Sequence, residues 1–213
     1  MVDKDVVRRG YDAVAETYAA ERSEGGTEMD VLEAVLESLS DSPTVLDVGC
    51  GQGMPVLRRV SDAGSAVGTD FSREQLALAA ANAPAAAFVQ GDMVTLPFSD
   101  GVFDAVIAFH SLIHIPLNDH RAVLDEFARV LRPGGRVLLS EAPGEWTGEN
   151  PDWLETGVEM QWDMAGAAAT RTQLREAGFA VVDERESTET LVDDEHWLYL
   201  AGRLEEPVET ENE

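Results

Sequence analysis

Gly49, Gly51 and Gly53 lie within five positions, directly behind a short apolar run, in the stretch "VLDVGCGQG". A glycine-rich turn after a strand allows the backbone to approach a bound nucleotide closely. A dinucleotide fingerprint needs the spacing G-x-G-x-x-G, but position 54 is a methionine. The side chain of Met54 would obstruct the packing of helix on strand that the third glycine of that fingerprint permits. The loop therefore favours a nucleoside cofactor other than NAD.

An acidic residue, Asp47, precedes these glycines at the end of the same apolar run. A carboxylate here would face a pyrophosphate at close range, and the like charges would repel each other. It would instead attract a cofactor that carries an amine or a sulfonium group. Asp47 thus points to a cofactor with a positively charged part.

Two further acids follow later apolar runs. Asp70 comes 17 residues after Gly53 in "GTDFS", where a carboxylate can accept two hydrogen bonds from a ribose diol. Asp92 lies in "GDMVTLPF", where it could accept from an adenine amine while the Met93 N–H donates to the ring. Taken singly, each acid is explained equally well by a turn or a helix cap.

Histidine supplies the candidate acid–base chemistry, because its side chain titrates near neutral pH. His110 follows the apolar run "FDAVIAF" and is the candidate general base, with a role as a pocket-lining residue as the alternative. His114 is interpreted as fixing the loop before Pro116, and His120 is predicted on the solvent side of a helix start. The scattered histidines lack metal-ligand spacing, so no metal site is predicted.

Trp146, Trp153 and Trp162 lie among glycine, proline and acidic residues in the segment 144–166. They could line an acceptor pocket and enclose an apolar or cationic substrate. Alternatively, they only pack the segment onto the rest of the fold. The composition predicts an irregular or short-helical insertion that covers the acceptor pocket.

The elements that must position these residues follow from an alternation of short apolar runs with longer helical patterns, which predicts a βαβ sheet. The predicted strands are Thr44–Val48, Ser65–Thr69, Ala86–Gln90, Phe103–Phe109 and Arg136–Ser140. The predicted helices are Met29–Ser40, Pro55–Ala63, Arg73–Ala83 and Asp119–Leu131, with Ser72 as an N-cap. A helix in 170–178 and two antiparallel strands, in 179–187 and 195–204, complete the pattern.

Length and composition predict one domain over 1–204 with a frayed acidic tail over 205–213, since 44% of the 213 residues are hydrophobic. Cys50 is the single cysteine, which excludes an internal disulfide. No apolar run is long enough for a membrane span and no secretory signal is evident, so we expect a cytoplasmic protein without a membrane partner.

Charge is the unusual feature of the composition. Forty-one Asp and Glu residues against 15 Lys and Arg residues give a formal net charge of -26. Such a surface repels phosphate backbones, so no nucleic-acid partner is expected. It suits a salt-rich cytoplasm, where ions screen the self-repulsion, although a cationic partner surface is the alternative.

Five stretches share their order and spacing with one enzyme family: "VLDVGCGQG", "GTDFSREQLALA", "GDMVTLPF", "FDAVIAFHSLIHIP" and "LRPGGRVLLSE". From about Tyr11 to Arg203 the chain resembles the class I S-adenosylmethionine-dependent methyltransferases. The resemblance implies a Rossmann-like, doubly wound α/β fold. Its seven-stranded sheet would be mostly parallel, with helices on both faces and a C-terminal antiparallel strand pair. The stretch "YDAVAETYAAE" resembles the N-terminal helix that these enzymes fold over the cofactor.

The same resemblance implies a role for each matching residue at the methionine end of S-adenosylmethionine. Gly49, Gly51 and Gly53 would let the backbone approach the methionine part, with Asp47 near its amino group. Tyr18 would close over the methionine carboxylate. These ligands would meet outside the carboxyl ends of the strands, where open α/β sheets bind ligands.

At the adenosine end, the resemblance implies that Asp70 binds the ribose hydroxyls and that Phe71 flanks the adenine. Asp92 and Met93 would contact the adenine edge. His110 would border the sulfonium and the methyl acceptor.

The expected activity is in-line methyl transfer from S-adenosylmethionine to a small-molecule acceptor. The small-molecule acceptor is expected because the tryptophan-rich segment resembles a subgroup of these enzymes that acts on small molecules. Methylation of a protein and a catalytically silent module that binds the cofactor are the alternatives. An NAD-dependent oxidoreductase is disfavoured by Asp47 and Met54. Neither the methylated atom nor the oligomeric state follows from these residues.

Overall fold

The computed structural model describes residues 1–22, 25–190 and 196–206. Nine strands lie within these ranges: β1 Thr44–Val48, β2 Ser65–Asp70, β3 Ala87–Gln90, β4 Phe103–Ala108, β5 Leu131–Glu141, β6 Trp146–Trp153, β7 Val158–Met164, β8 Phe179–Thr190 and β9 His196–Leu204. Six α-helices lie within the same ranges: α1 Lys4–Glu21, α2 Thr27–Glu37, α3 Val56–Ala63, α4 Arg73–Asn82, α5 His120–Val130 and α6 Ala167–Glu176.

Seven strands form one sheet in the order β3-β2-β1-β4-β5-β9-β8. Strands β1 to β5 are parallel, whereas β9 lies antiparallel between β5 and β8. The strand order reverses between β1 and β4, which is the switch point where doubly wound sheets bind ligands. The predicted doubly wound sheet with its C-terminal antiparallel pair is therefore confirmed.

The core lies on both faces of this sheet, because its central strands are apolar on both sides. One cluster includes Phe103 and Phe127 and packs under α5 and α6, and the other includes Leu57 and Ile107 and packs under α2 and α3. The predicted bounds of β1 are confirmed, as is the Ser72 cap of α4, whose hydroxyl accepts from the Gln75 N–H. The sheet thus holds the ends of β1, β2 and β4 rigidly beside one another.

The segment 144–166 differs from its prediction, because β6 and β7 form an antiparallel hairpin with its own two-stranded sheet. The prediction of an irregular or short-helical insertion is therefore wrong. Glycine, proline and acidic residues weaken the strand pattern of this segment, but contacts with α1 decide its structure. Gly157, with a φ of +72°, lies in the connection between the two strands.

Close packing joins this hairpin to α1. Met160 of β7 is fully buried and clusters with Val2 and Val7. A Cβ at Gly10 of α1 would lie 2.9 Å from Met160 Cε and 3.0 Å from the Glu159 carbonyl oxygen, so glycine is needed for this approach. Helix α1 and the hairpin, which together we call the roof, form one packed unit beside the carboxyl ends of the strands.

His120 differs from its predicted position on the solvent side of α5, since it is fully buried. A 3-10 turn over Leu117–Asp119 precedes the helix, and His120 Nε2 lies 2.9 Å from the Ile115 carbonyl oxygen. The ring therefore faces inward, and the prediction is wrong.

Two features of the chain ends and surface complete the description. Across the described ranges, no helix combines the length and the apolar character needed to cross a membrane. Most of the acidic stretch predicted to fray, 205–213, lies outside the described residues.

We predict that Met160→Ala lowers the free energy of unfolding by about 2–5 kcal/mol, because it leaves a cavity between α1 and β7. Urea unfolding in concentrated KCl measures the change. Val182→Ala is the control, since Val182 is 55% exposed and its loss should cost less than about 0.5 kcal/mol. Equal values for the two variants would contradict the tight packing of the roof.

Candidate active site

An open cleft lies at the carboxyl ends of β1, β2 and β4. The roof residues Tyr11 and Tyr18 line it from the side of α1. The predicted site residues that line this cleft are Tyr18, Gly49, Gly51, Asp70, Phe71, Asp92, Met93 and His110. Five sequence-distant stretches therefore converge on one cavity at the switch point of the sheet.

The glycine loop lies so close to the loop after β4 that Gly49 has no room for a side chain. Gly49 has a φ of +73°, and a Cβ there would lie 2.3 Å from the Cβ of Ser111. Ser111 Oγ in turn donates to the Val48 carbonyl at 2.8 Å. Gly53 does not line the cleft; its missing side chain admits Ala79 of α4 at 3.3 Å. The third glycine thus serves the packing of α4.

Asp70 holds the glycine loop to the end of β2. Its two carboxylate oxygens accept from the Gly51 N–H at 2.9 Å and from the Ser72 N–H at 2.8 Å. Burial raises the pKa of Asp70 to about 6, although these backbone hydrogen bonds oppose the rise. Each oxygen keeps a lone pair for a further donor in the cleft.

Asp47 lies buried next to the cleft but is not among the residues that line it. Burial, with the charges of Glu28 and Asp70 nearby, raises the pKa of Asp47 to about 8, while Arg22 acts in the opposite direction. An ammonium group beside Asp47 would compensate this accumulation of negative charge. The electrostatics of the site therefore fit a cationic ligand better than an anionic one.

Arg22, Glu28 and His110, of which Glu28 is buried and the other two are partly buried, form a connected chain at the edge of the cleft. Arg22 Nη2 donates to both carboxylate oxygens of Glu28, at 2.6 and 2.8 Å, and His110 Nε2 lies 3.0 Å from Glu28 Oε2. His110 has a φ of +51°, and its backbone N–H donates to Ser140 Oγ at 2.7 Å. Burial lowers the pKa of His110, although Glu28 partly offsets the effect.

His114 links α1 to the hairpin. Its Nδ1 lies 2.9 Å from the Gln161 carbonyl oxygen and its Nε2 lies 2.9 Å from the Tyr11 hydroxyl. A carbonyl can only accept, so Nδ1–H donates to Gln161 and Nε2 accepts from Tyr11. Burial lowers the pKa of His114 to about 4, which keeps the ring neutral. Both ring nitrogens are thus engaged in holding the roof.

Asp92 is the partner of Lys4, the single lysine of the chain. One carboxylate oxygen forms this ion pair, and the other accepts from the Val94 N–H at 3.0 Å. The pair joins the first residue of α1 to the loop after β3. The side chain of Asp92 is 44% exposed at the mouth of the cleft.

None of the three tryptophans predicted to line an acceptor pocket is among the cleft-lining residues. Trp153 packs on Tyr11 and Tyr18 with ring centroids 5.3 and 5.6 Å apart. Trp162 packs on His114 at 6.0 Å, and Trp146 is 45% exposed. Their contacts join the hairpin to α1 and to the loop after β4, which is the packing alternative.

Comparison with known proteins identifies the family. A family model described as a methyltransferase domain matches residues 45–135. The demethylmenaquinone methyltransferase of Beutenbergia cavernae is 33% identical over 222 residues, an alignment that covers 90% of each chain. The chain belongs to the class I S-adenosylmethionine-dependent methyltransferases.

Solved structures agree with the fold. A putative methyltransferase of Haloferax volcanii, in complex with the Trm112 activator, has a TM-score of 0.76 at 21% identity, covering 94% of this chain and 98% of that one. Magnesium protoporphyrin IX methyltransferase of Synechocystis, with bound S-adenosylhomocysteine, has a TM-score of 0.71 at 18% identity, covering 94% and 98%. As a member of this family, the chain described in this structure uses S-adenosylmethionine as its cofactor. Within the described ranges, no group of three or more possible ligands could hold a metal ion.

Sequence reasoning missed several residues of the methyltransferase site. Tyr11 is one of them, and it lies seven positions before the predicted Tyr18, two turns of one helix, so their shared face was detectable. Arg22 and Glu28 gave no such signal, because His110 lies 82 positions from Glu28 and only the fold joins them. Ser111 is recognisable only through its contact with Gly49.

We predict that Asp47→Asn makes the unfolding temperature less sensitive to alkaline pH. The pKa of Asp47 is about 8 in the folded protein and about 4 in the unfolded chain, so the folded state holds an extra proton between these values. The contribution of protonated Asp47 to the free energy of unfolding is thus fully present below about pH 4 and is lost as the pH rises towards 8.

Thermal unfolding between pH 5 and pH 9, at constant KCl, measures this effect. The variant should gain over the wild type by several degrees more at pH 9 than at pH 5. Asp41→Asn, which changes an exposed carboxylate, is the control and should show no such trend. Parallel curves for Asp47→Asn and the wild type would contradict the charge accumulation inferred around Asp47.

Proposed function

We propose that this methyltransferase transfers the methyl group to a small, largely apolar acceptor. The supporting observation is the form of the cleft: a polar cradle from the glycine loop and Asp70 meets apolar lining from Val48, Phe109 and Ile115. The roof covers this cleft with tightly packed aromatic rings. Such a space suits a small apolar acceptor better than an extended macromolecule.

The methionine part of the cofactor would lie against Gly49 and Gly51, with its ammonium group towards Asp47. This proposal is supported by the raised pKa of Asp47, which a nearby cation would lower again. Tyr18 lines the same cleft from α1 and would cover the methionine carboxylate. Gly53 would contribute only through the packing of α4.

The adenosine part would lie between β2 and the loop after β3. Asp70 is held by two backbone N–H groups and would accept hydrogen bonds from the ribose hydroxyls with its free lone pairs. Phe71 would flank the adenine ring, and Asp92 and Met93 would contact its edge. Lys4 would then hold Asp92 in place from α1.

When bound, S-adenosylmethionine supplies a methyl group already activated by its sulfonium. The main task of the protein is therefore alignment, with the acceptor atom held about 3 Å from the methyl carbon and in line with the breaking bond. Phe109, His110 and Ile115 line the cleft beyond the glycine loop and would hold the acceptor. The roof would exclude water from the reacting atoms.

The small acceptor is supported by a relative as well as by the cleft. The Beutenbergia cavernae protein, which aligns with 90% of this chain, is named for demethylmenaquinone. The net charge of -26 disfavours a nucleic-acid acceptor. Two alternatives, methylation of a basic protein and cofactor binding without catalysis, would give different results in the experiments below.

We predict that the protein binds S-adenosylmethionine but not NAD in calorimetry in concentrated KCl. Asp70→Ala should weaken binding of the cofactor by about 1.5–3 kcal/mol, because hydrogen bonds to a charged carboxylate are lost. Asp41→Ala, at an exposed site, is the control and should bind as the wild type does. Unchanged affinity in Asp70→Ala would remove this residue from the cofactor site.

The acceptor class is tested with methyl-labelled S-adenosylmethionine and a panel of phenols, hydroquinones, amines, thiols and basic peptides in high salt. We expect transfer to a phenol or a hydroquinone, together with release of S-adenosylhomocysteine. Transfer only to basic peptides would favour the protein-methylating alternative. Binding of the cofactor without transfer to any member of the panel would favour the silent module.

A further inference from the structure

Arg22, Glu28 and His110 come from three separate elements and meet beside the cleft. Their side chains are 17%, 10% and 9% exposed, so bulk water screens their interactions little. Arg22 contacts both oxygens of the Glu28 carboxylate, and one of these oxygens contacts His110 Nε2. Arg22 therefore holds the Glu28 carboxylate in place, and this carboxylate in turn holds the His110 ring.

The first contact decides the charge of Glu28. Burial opposes ionisation of this carboxyl group, but the hydrogen bond from His110 and the charge of Arg22 outweigh it, so the pKa of Glu28 lies below its ordinary value. An ionised carboxylate can only accept hydrogen bonds. The hydrogen between Glu28 and His110 therefore belongs to Nε2.

The second consequence concerns Nδ1 of His110. Burial lowers the pKa of this ring, which is therefore neutral at physiological pH and has one N–H. Since Nε2 holds that hydrogen, Nδ1 has a free lone pair. Nδ1 is buried and has no hydrogen-bond partner among the described residues. It contrasts with His114, in which both nitrogens have partners.

The ring is also held mechanically. The backbone of His110 has a φ of +51° and donates to Ser140 Oγ, and Trp197 packs edge-to-face on the ring with centroids 4.5 Å apart. Among the described residues, the titratable groups that act on it are Arg22, which directly follows α1, Glu28 of α2 and His114 of its own loop. Tyr199 of β9 packs against it at 6.2 Å.

We propose that Glu28 is a positioning residue that holds His110 in the Nε2–H tautomer, so that Nδ1 accepts the proton of a hydroxyl methyl acceptor. This inference rests on the proposed function. A lone pair of the acceptor oxygen forms the bond to the methyl carbon, and the breaking carbon–sulfur bond leaves its electron pair on sulfur. The hydroxyl proton passes to Nδ1, and the resulting imidazolium is paired with Glu28 until it releases the proton to water.

The tautomer can be measured without knowing the acceptor. The chain has only 4 histidines, so ¹⁵N-labelled histidine gives a simple spectrum, which His110→Gln assigns. The wild type should show a protonated Nε2 and an unprotonated Nδ1 at His110. Glu28→Gln should shift the ring towards the Nδ1–H form and lower its pKa, because the carboxylate charge is lost.

Glu33→Gln is the matched control. Glu33 lies on the same helix and also pairs with an arginine, Arg59, but its side chain is 39% exposed. The spectrum of His110 should be unchanged in this variant. An Nδ1–H tautomer in the wild type, or an unchanged His110 spectrum in Glu28→Gln, would overturn the proposal.

With a hydroxyl acceptor from the panel, Glu28→Gln should lower kcat by about 10–100-fold, less than the roughly 10²–10⁴-fold that a general base itself contributes, and change the KM for S-adenosylmethionine little. The rise of kcat with pH should move to lower pH, following the pKa of His110. Glu28→Asp keeps the charge and should recover part of kcat. If Glu28→Gln lowers the thermal stability and the cofactor affinity but leaves the pH dependence of kcat unchanged, Glu28 has only a structural role.

Failure of the two proposals can be told apart. If the tautomer and its response to Glu28→Gln are as expected but only thiols or peptides are methylated, the acceptor class in the proposed function fails and the proton-accepting role of Nδ1 with it. If a hydroxyl acceptor is methylated at an unchanged rate by Glu28→Gln and by His110→Gln, the positioning role fails and the proposed function stands.

Discussion

The burial of three carboxyl groups in one small region is the constraint on which the rest of this site depends. Besides burial, the charges of Glu28 and Asp70 both raise the pKa of Asp47, and the charge of Arg22 opposes them. Uncompensated charges are expensive to bury, so each group needs its own solution. Glu28 has Arg22, Asp70 accepts from backbone N–H groups, and burial raises the pKa of Asp47 to about 8, which favours its neutral form.

The roof has a different physical basis. A chain with a net charge of -26 gains little from exposed ion pairs, which salt screens, so the Lys4–Asp92 pair alone would hold α1 weakly. Apolar packing of Met160 against α1 does not depend on salt in this way. The buried hydrogen bonds of His114 then fix the angle between α1 and the hairpin. The roof therefore stays packed in salt concentrations that screen the charges of the acidic surface.

The parts of the structure that sequence predicted correctly are those encoded locally. Strand β1, the glycine loop and the cap at Ser72 each follow from neighbouring residues, and the order of the motifs then predicts the sheet. The hairpin of 144–166 was missed because its strands are stabilised by α1 rather than by their own composition. The inward turn of His120 and the contact between Glu28 and His110 depend on the fold in the same way.

His110 and His114 show how far residue type falls short of chemical role. They are four positions apart in one loop, both are neutral, and both line the cleft. His114 has a carbonyl on one nitrogen and a hydroxyl on the other, so its ring has no remaining capacity for a substrate. His110 has a carboxylate on Nε2 and nothing on Nδ1 among the described residues. The difference is created by Glu28 and Gln161, which belong to α2 and to the hairpin, and not by the loop itself.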